Sequence, residues 1–411
     1  MPSPKKEQLK RRDQRLERPL GGNFASIFVA VAFLGCAATP PSGAADPISE
    51  TAPPPVLEAE TSGTLTLPPA GPHRLYLASG RGYTIVDGTE AKVEGHIYGG
   101  YGSVLAVSPD NSKFFVAESY WSKGNRGKRE DLVSIYDAST IELIDEVKLP
   151  GRLIAGGRMP YFSISADGRT GFVFNVEPAT SVQIVDLEKG KYRSNIEIPG
   201  CGLIYPYKNE GFASLCADGS LLTVEVNARG KGVLKQSEPF FDAEADPVFE
   251  ESLVDRESGE ALFITYSGKV IPVTLGETPE FGESWSIQET ADMAPGRPDV
   301  QQETWRPGGR RPFALHTATN TLFVLMHKGK HWTQKEHGSE VWAIDTATHH
   351  LKGRYQLPTA GRVIGVSQDD APQLYVAGDG NWLWIMDPET GKITKQMDEI
   401  SRAHMIQVTG F

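Results

Sequence analysis

Three histidines lie close together in residues 326–337, where the sequence comes nearest to a metal-binding pattern. His327, His331 and His337 are separated by four and six positions. Imidazole is a common zinc ligand, but these separations match no regular zinc motif, and the lysines between them are typical of an exposed loop. The chain also has no CxxCH motif for haem and no GxSxG nucleophile motif. We therefore predict no catalytic residue, no bound cofactor and no metal ion in this chain.

Two of the three cysteines are placed for structural chemistry. Cys201 and Cys216 lie on what we predict to be the first and second strands of one sheet. In an exported protein, two cysteines on adjacent strands most often form a disulfide. A redox-active pair is the alternative, but the spacing does not resemble a CxxC arrangement. We predict a structural disulfide.

A basic segment and an aromatic segment have the composition of a protein interface. Arg126, Lys128 and Arg129 form a cluster in a chain whose net charge is −11. Trp305 and Arg306 add two residue types that are enriched at interface hot spots. We predict that these five residues contact a partner chain. The alternatives are an exposed charged turn for the basic cluster and a tryptophan packed on its own sheet.

The elements that position these residues are predicted to be short antiparallel strands. In residues 161–190, aromatic and aliphatic residues alternate with smaller or polar ones, which is the period of a strand. Asp167 and Gly168 lie between two such runs and indicate a tight hairpin turn. A third and a fourth strand follow before Pro199. One sheet of this size cannot bury both of its faces, so we expect it to pack against similar sheets.

The same strand pattern recurs along the chain. An aspartate ends the third strand of several repeats, at Asp87, Asp137, Asp186, Asp345 and Asp387. Repeat lengths of about 40 to 50 residues are typical of propeller blades. We predict an all-β, seven-bladed β-propeller over residues 73–411, with the last strand, residues 405–408, pairing into the first blade to close the ring. A pair of β-sandwiches is the alternative.

The amino-terminal region has the features of an export signal. A basic stretch precedes an apolar run over residues 24–38, and small residues at 43–45 form a cleavage site. We predict a signal peptide over residues 1–45 and a proline-rich arm outside the core over residues 46–72. Cys36 in a lipoprotein cleavage box and the Arg11–Arg12 pair of a twin-arginine signal leave a lipid or uncleaved anchor as alternatives. The acidic remainder of the chain argues against a nucleic-acid partner.

Six segments, taken in order, resemble the heavy subunit of the tryptophan tryptophylquinone-dependent amine dehydrogenases, the methylamine and aromatic amine dehydrogenases. They are residues 126–140, 178–192, 200–224, 305–316, 324–327 and 339–348, and the resemblance extends over about residues 100–400. It implies a seven-bladed propeller in the periplasm, assembled from two heavy and two light chains. It also implies that the tryptophan tryptophylquinone cofactor is on the light chain, and that electrons leave to a small copper protein or cytochrome c.

One segment departs from this family. Its heavy chains have a longer loop in the first blade, with a phenylalanine lining the channel to the quinone, whereas residues 78–83 here form a short connection without phenylalanine. Two hypotheses follow. The first is the scaffold subunit of a periplasmic dehydrogenase that oxidises primary amines, in which the heavy chain itself is not catalytic. The alternative is a stand-alone exported propeller that binds a protein or small ligand without redox chemistry.

Overall fold

The strands follow one another in chain order from sheet to sheet. The computed structural model describes residues 66–80, 82–152, 154, 158–299 and 301–409. In this part of the chain the strands form six antiparallel sheets. The predicted signal peptide and residues 46–65 of the predicted arm lie outside the described residues.

Five of the sheets are separate blades of four or five strands. The first contains β1 (Arg74–Ser79), β2 (Gly82–Asp87), β3 (Lys92–Tyr98) and β29 (Met405–Val408). The second contains β4 (Tyr101–Val107), β5 (Lys113–Trp121), β6 (Arg129–Asp137) and β7 (Leu143–Leu149). The third contains β8 (Phe162–Ile164), β9 (Thr170–Asn175), β10 (Ser181–Asp186) and β11 (Lys191–Glu197). The fourth contains β12 (Cys201–Tyr207), β13 (Gly211–Cys216), β14 (Leu221–Val226) and β15 (Gly232–Gln236). The fifth contains β16 (Leu253–Val254), β17 (Glu260–Ile264), β18 (Lys269–Thr274), β19 (Glu280–Phe281) and β20 (Trp285–Ser286).

The remaining strands form one continuous eight-stranded sheet. It contains β21 (Thr304–Pro307), β22 (Phe313–His316), β23 (Thr321–Gly329), β24 (Gly338–Asp345), β25 (His350–Val366), β26 (Leu374–Gly378), β27 (Trp382–Met386) and β28 (Ile393–Asp398). Two short 3₁₀ helices, Met159–Tyr161 and Glu289–Ala291, lie in connections.

The all-β propeller prediction is confirmed, but the prediction of seven separate blades is wrong. Five blades are separate, and the sixth and seventh predicted strand groups are joined in the eight-stranded sheet by β25. This strand pairs with β24 through its first half and with β26 through its second half. The backbone stays extended across Pro358 and Gly361, so the outer strand of one group continues directly into the next.

In the four-stranded blades the outer strand is more exposed than the strands inside it. Every residue of β9 is buried, whereas the outer strand β11 has one buried residue, Ile196. Aromatic rings fill the space between neighbouring sheets: the ring centroids of Phe172 and Phe212 are 5.3 Å apart, and those of Tyr205 and Phe263 are 5.2 Å apart. A sheet that is covered on both faces needs apolar residues on both, which is why the inner strands lack strict alternation.

The carboxy-terminal strand closes the ring, as predicted. β29 pairs antiparallel with β1, with Ile406 opposite Leu77 and Val408 opposite Leu75. This pairing covers the edge of β1 that would otherwise be free to bind another chain.

The end of the predicted arm differs from the expectation that it lies outside the core. Leu67 is 5% exposed, and its backbone N–H donates to the carbonyl oxygen of Ser139 at 2.7 Å. The guanidinium of Arg74 donates to the carbonyl oxygen of Pro68. The chain therefore packs against the propeller from at least residue 67 onward.

Candidate functional site at one face of the propeller

We count the strands of each blade from the inside to the outside, so that the first blade has the order β29, β1, β2 and β3. One face of the propeller contains the connections between the second and third strands of each blade. It also contains the connections that lead from one blade to the next. We call it the loop face. It includes the β1–β2 turn, residues 122–128 between β5 and β6, and residues 330–337 between β23 and β24. Such connections leave every blade at the same edge, so residues that are distant in sequence meet on this face.

Four exposed aromatic side chains lie on the loop face. Tyr98 ends β3, Tyr101 begins β4, Tyr120 is next to the end of β5, and Trp332 is in the β23–β24 connection. Their exposed fractions are 76%, 47%, 38% and 54%. Such residues are costly to leave in water and are enriched at the centres of protein interfaces. The loop face therefore has the composition of a contact surface.

A buried carboxylate holds part of this surface in place. Glu118 is fully buried and accepts hydrogen bonds from the backbone N–H of Gly100 at 2.6 Å, the hydroxyl of Tyr120 at 3.0 Å and the hydroxyl of Ser134 at 2.6 Å. These bonds join the connection between the first two blades to β5 and β6. Burial, and then the charge of Glu118, raise the pKa of Tyr120.

A cavity of about 560 Å³ opens on the loop face. We call it the arginine cleft, because Arg310, Arg362 and Arg402 line one side of it together with His404. The cleft is also lined by residues at the β1–β2 turn and at the connection between the first two blades: Gly80, Gly82, Tyr83, Gly100, Tyr101 and Gly102. Gly80 belongs to the short β1–β2 turn, and Gly82 begins β2.

One carboxylate, that of Asp379, contacts the arginine side of the cleft. Its oxygens lie 3.9 Å from Nη1 of Arg362, within bonding distance of Nη2 of Arg402, and 3.4 Å from Nδ1 of His337. Burial, and then the nearby charges of Arg402 and Arg310, lower the pKa of Arg362. The guanidinium groups thus lie close enough to repel one another.

The histidine of the cleft is held in its neutral form. Burial is the main cause, and the positive charges of Arg310 and Arg362 add to it; together they lower the pKa of His404 to about 4. At neutral pH the positive charge of the cleft therefore comes from its arginines.

The predicted basic cluster lies on the loop face, but two of its members are paired within their own blade. Arg126 is exposed. Lys128 contacts Glu130 at 3.0 Å, and Arg129 contacts the buried carboxylate of Asp131 at 3.0 Å. Arg129 therefore supports β6, whereas Arg126 and Lys128 extend from the surface. The role of these residues in a partner interface stays a prediction.

Trp305 and Arg306 are less accessible than the sequence suggested. Trp305 is half-buried: its ring centroid lies 5.6 Å from that of Trp342, and the guanidinium carbon of Arg354 lies 4.8 Å from it. Arg306 is only 1% exposed, and its Nη2 donates to the carbonyl oxygen of Arg297 at 2.9 Å. The expectation that Arg306 offers its guanidinium to a partner is corrected, because β21 turns this side chain into the protein.

The predicted disulfide is present. Cys201 and Cys216 lie directly opposite each other on β12 and β13 and are bonded through their sulfur atoms. Both residues are buried, so the bond has a structural position in the fourth blade.

The three clustered histidines have separate partners. Nε2 of His327 lies 2.8 Å from the hydroxyl oxygen of Thr333, and Nε2 of His331 lies 2.8 Å from the carbonyl oxygen of Ala245. His337 faces Asp379. Among the described residues, no group of three or more His, Cys, Asp or Glu side chains is arranged to hold a metal ion. In the same part of the chain, no helix has the length and apolar character to cross a membrane.

Sequence reasoning missed the arginine cleft. Arg310, Arg362 and Arg402 are far apart in the sequence and share no local motif. A usable signal was their position, since each precedes or enters an inner strand: β22, the second half of β25, and β29. Residues before inner strands meet around the axis, on the loop face.

The sequence of this chain is similar to a family of known proteins. Residues 72–410 match the family model described as methylamine dehydrogenase heavy chain. The chain is 30% identical over 331 residues to the methylamine dehydrogenase heavy chain of Methylorubrum extorquens, covering 80% of this chain and 78% of that one. It is also 30% identical over 332 residues to the heavy chain of Methylobacillus flagellatus, covering 80% of each.

A solved structure supports the fold. The β-propeller domain of Cps50 (Swd1) from Myceliophteria thermophila superposes with a TM-score of 0.50 at 12% identity, covering 75% of this chain and 89% of that one. At this level of identity the likeness concerns the fold alone.

Proposed function

The chain belongs to the methylamine dehydrogenase heavy chain family, and from this premise we propose that it is the scaffold subunit of an exported, periplasmic enzyme that oxidises primary amines. In this proposal the loop face binds a smaller light chain that carries the tryptophan tryptophylquinone cofactor. Two heavy and two light chains form the complex, and its electrons pass to a small copper protein or cytochrome c.

The observation that carries the proposal, besides family membership, is the concentration of exposed aromatic residues on one face. Tyr98, Tyr101, Tyr120 and Trp332 belong to three different strand groups but lie on the loop face. Several of the other exposed large apolar residues are aliphatic side chains on outer strands, such as Ile144 and Leu234. Tyrosine and tryptophan supply large contact areas at a low entropic cost, which suits a permanent subunit contact.

The first experiment is reconstitution. We expect the heavy chain co-expressed with a light chain and its cofactor-maturation proteins to co-purify with it, to show quinone absorbance and to oxidise a primary amine. We expect the isolated heavy chain to show neither absorbance nor turnover. Amine oxidation by the isolated chain would contradict the scaffold role.

The second experiment locates the contact. We expect Tyr98→Ala to weaken assembly by about 2 kcal/mol, as for a central aromatic residue of an interface. Ile144→Ala is the control, because Ile144 is 51% exposed near the start of the outer strand β7, at the opposite edge of its blade. Equal co-purification of the light chain with both variants would remove Tyr98 from the interface. Arg129→Ala is a poorer test of binding, because it also removes the ion pair of Asp131, which then keeps only its hydrogen bonds from Ser119 and from the backbone N–H of Arg152.

A further inference from the structure

We propose that the arginine cleft is a binding site for a small organic carboxylate. This inference goes beyond the subunit role and does not depend on it, because it concerns a ligand of the heavy chain itself.

The first argument is the local excess of positive charge. Among the described residues that line the cleft, three are arginines and none is acidic; Asp379 contacts two of these arginines from beside the cleft. The chain as a whole has a net charge of −11. Arginines that repel one another are costly to gather, and a bound anion would offset that cost.

Backbone hydrogen bonds hold two of the three arginines, Arg310 and Arg362, close together. The backbone N–H groups of Arg310 and Arg311 both donate to the carbonyl oxygen of Arg362, at 2.8 and 3.2 Å. The backbone of Arg310 therefore lies beside that of Arg362, whatever the Arg310 side chain contacts. Its side chain is exposed, so the guanidinium is accessible to a ligand that enters the cleft.

The second argument identifies the anion. Asp379 shows that the guanidinium groups of Arg362 and Arg402 already take a carboxylate as their partner. Guanidinium offers paired N–H donors that match the two oxygens of a carboxylate. Asp379 contacts Nη1 of Arg362 and Nη2 of Arg402. A second carboxylate would use Arg310 and the other donors of these groups.

The third argument concerns the size of the cleft and its aromatic lining. A volume of about 560 Å³ is within the range of small-molecule sites. Tyr101, which also lines the cleft, is 47% exposed and packs edge-on against Trp121, with ring centroids 5.4 Å apart. A cleft lined by both an aromatic ring and guanidinium groups suits a ligand with an apolar body and a carboxylate at one end.

Calorimetric titration of the purified heavy chain at low ionic strength tests the proposal, with benzoate, succinate and inorganic phosphate as probes. We expect saturable binding of at least one of the two carboxylates, more tightly than phosphate. Arg310→Gln should weaken this binding about tenfold, because it removes charged hydrogen-bond donors. Arg402→Gln is a second variant in case the first does not fold, which thermal unfolding without ligand will show.

Two further variants make the test specific. Asp379→Asn should strengthen carboxylate binding, because it removes the internal carboxylate that competes for the same arginines. Lys128→Gln removes an exposed charge outside the cleft and should leave the affinity unchanged. The proposal is overturned if neither carboxylate binds, if phosphate binds more tightly than both, or if Lys128→Gln weakens binding as much as Arg310→Gln. None of these results bears on light-chain assembly, which is measured separately.

Discussion

At the residue scale, the recurring aspartate is explained by hydrogen bonds within a turn. Oδ1 of Asp137 accepts the backbone N–H groups of Ser139 at 2.8 Å and Thr140 at 2.9 Å. The same arrangement recurs at three other repeat positions, Asp87, Asp345 and Asp387. A carboxylate that accepts such bonds is favoured in its charged form. The N–H of Thr348, with Lys352, thus lowers the pKa of Asp345 to about 2.

His404 gives a prediction for pH dependence. Its pKa in the folded protein is about 4, below the usual 6.5, because of burial and then the neighbouring arginines. Between these two values the unfolded chain binds a proton that the folded protein does not, so stability must fall as the pH decreases through this window. We expect the free energy of unfolding of the wild type to drop more steeply from pH 7 to pH 4.5 than that of His404→Asn. Urea unfolding at several pH values measures this.

The contribution of His404 to the pH dependence of stability can be separated from that of the aspartates, because the two act in different pH ranges. Carboxylates with lowered pKa values, such as Asp345, stabilise the protein above about pH 4 and lose this effect only as the pH falls toward about 2. Parallel stability curves for the wild type and His404→Asn above pH 4.5 would contradict the assignment.

At the element scale, the disulfide links two neighbouring strands of the fourth blade. Cys201 and Cys216 are 15 residues apart in sequence. We expect the double variant Cys201→Ser, Cys216→Ser to lose about 3 kcal/mol of stability in the chain-entropy model, because the bond restricts the unfolded chain. Urea unfolding measures the difference, and the wild type with a reducing agent is the control. A variant as stable as the oxidised wild type would show that the disulfide adds no stability beyond the pairing of β12 with β13.

The length of strand β25 could not be predicted from the sequence. Pro358 and Gly361 interrupt its pattern, and the prediction of seven separate blades requires a break between two sheets in this part of the chain. In the structure the backbone remains extended from His350 to Val366. Register shifts next to Gly338 and Gly361 allow one strand to pair with different neighbours along its length. Local sequence indicates where a strand weakens, but hydrogen bonding to neighbours decides whether it ends.

At the scale of the whole molecule, stability depends on closing the ring. Ile406 is 1% exposed in β29 and packs with residues from both ends of the ring, including Leu75 and Val363. We expect Ile406→Ala to lower the free energy of unfolding by about 2–5 kcal/mol, as for other buried aliphatic truncations. Ile393→Ala is the matched control, because Ile393 is 36% exposed on β28 and should change stability by about 0.5 kcal/mol or less. Equal losses in chemical unfolding experiments would argue against a special role for the closing strand.

Several features of this protein follow from the sequence by itself. The strand pattern, the aspartate turns and the Cys201–Cys216 pair were predictable, because each depends on local periodicity or on strands adjacent in the chain. The closing strand was predictable for another reason: residues 405–408 form a strand that has no hairpin partner of its own, and the repeat pattern leaves the first blade to accept it. The family resemblance was also visible in short segments taken in order.

Other features were decided only by the tertiary structure. The arginine cleft joins residues from connections that precede different inner strands, and these connections meet only when the ring has closed. The burial of Arg306 and the half-burial of Trp305 depend on β21 pairing with β23 and on the neighbouring ring of Trp342. Side-chain exposure at a blade connection is set by the packing around it, and the sequence at that position does not contain this information.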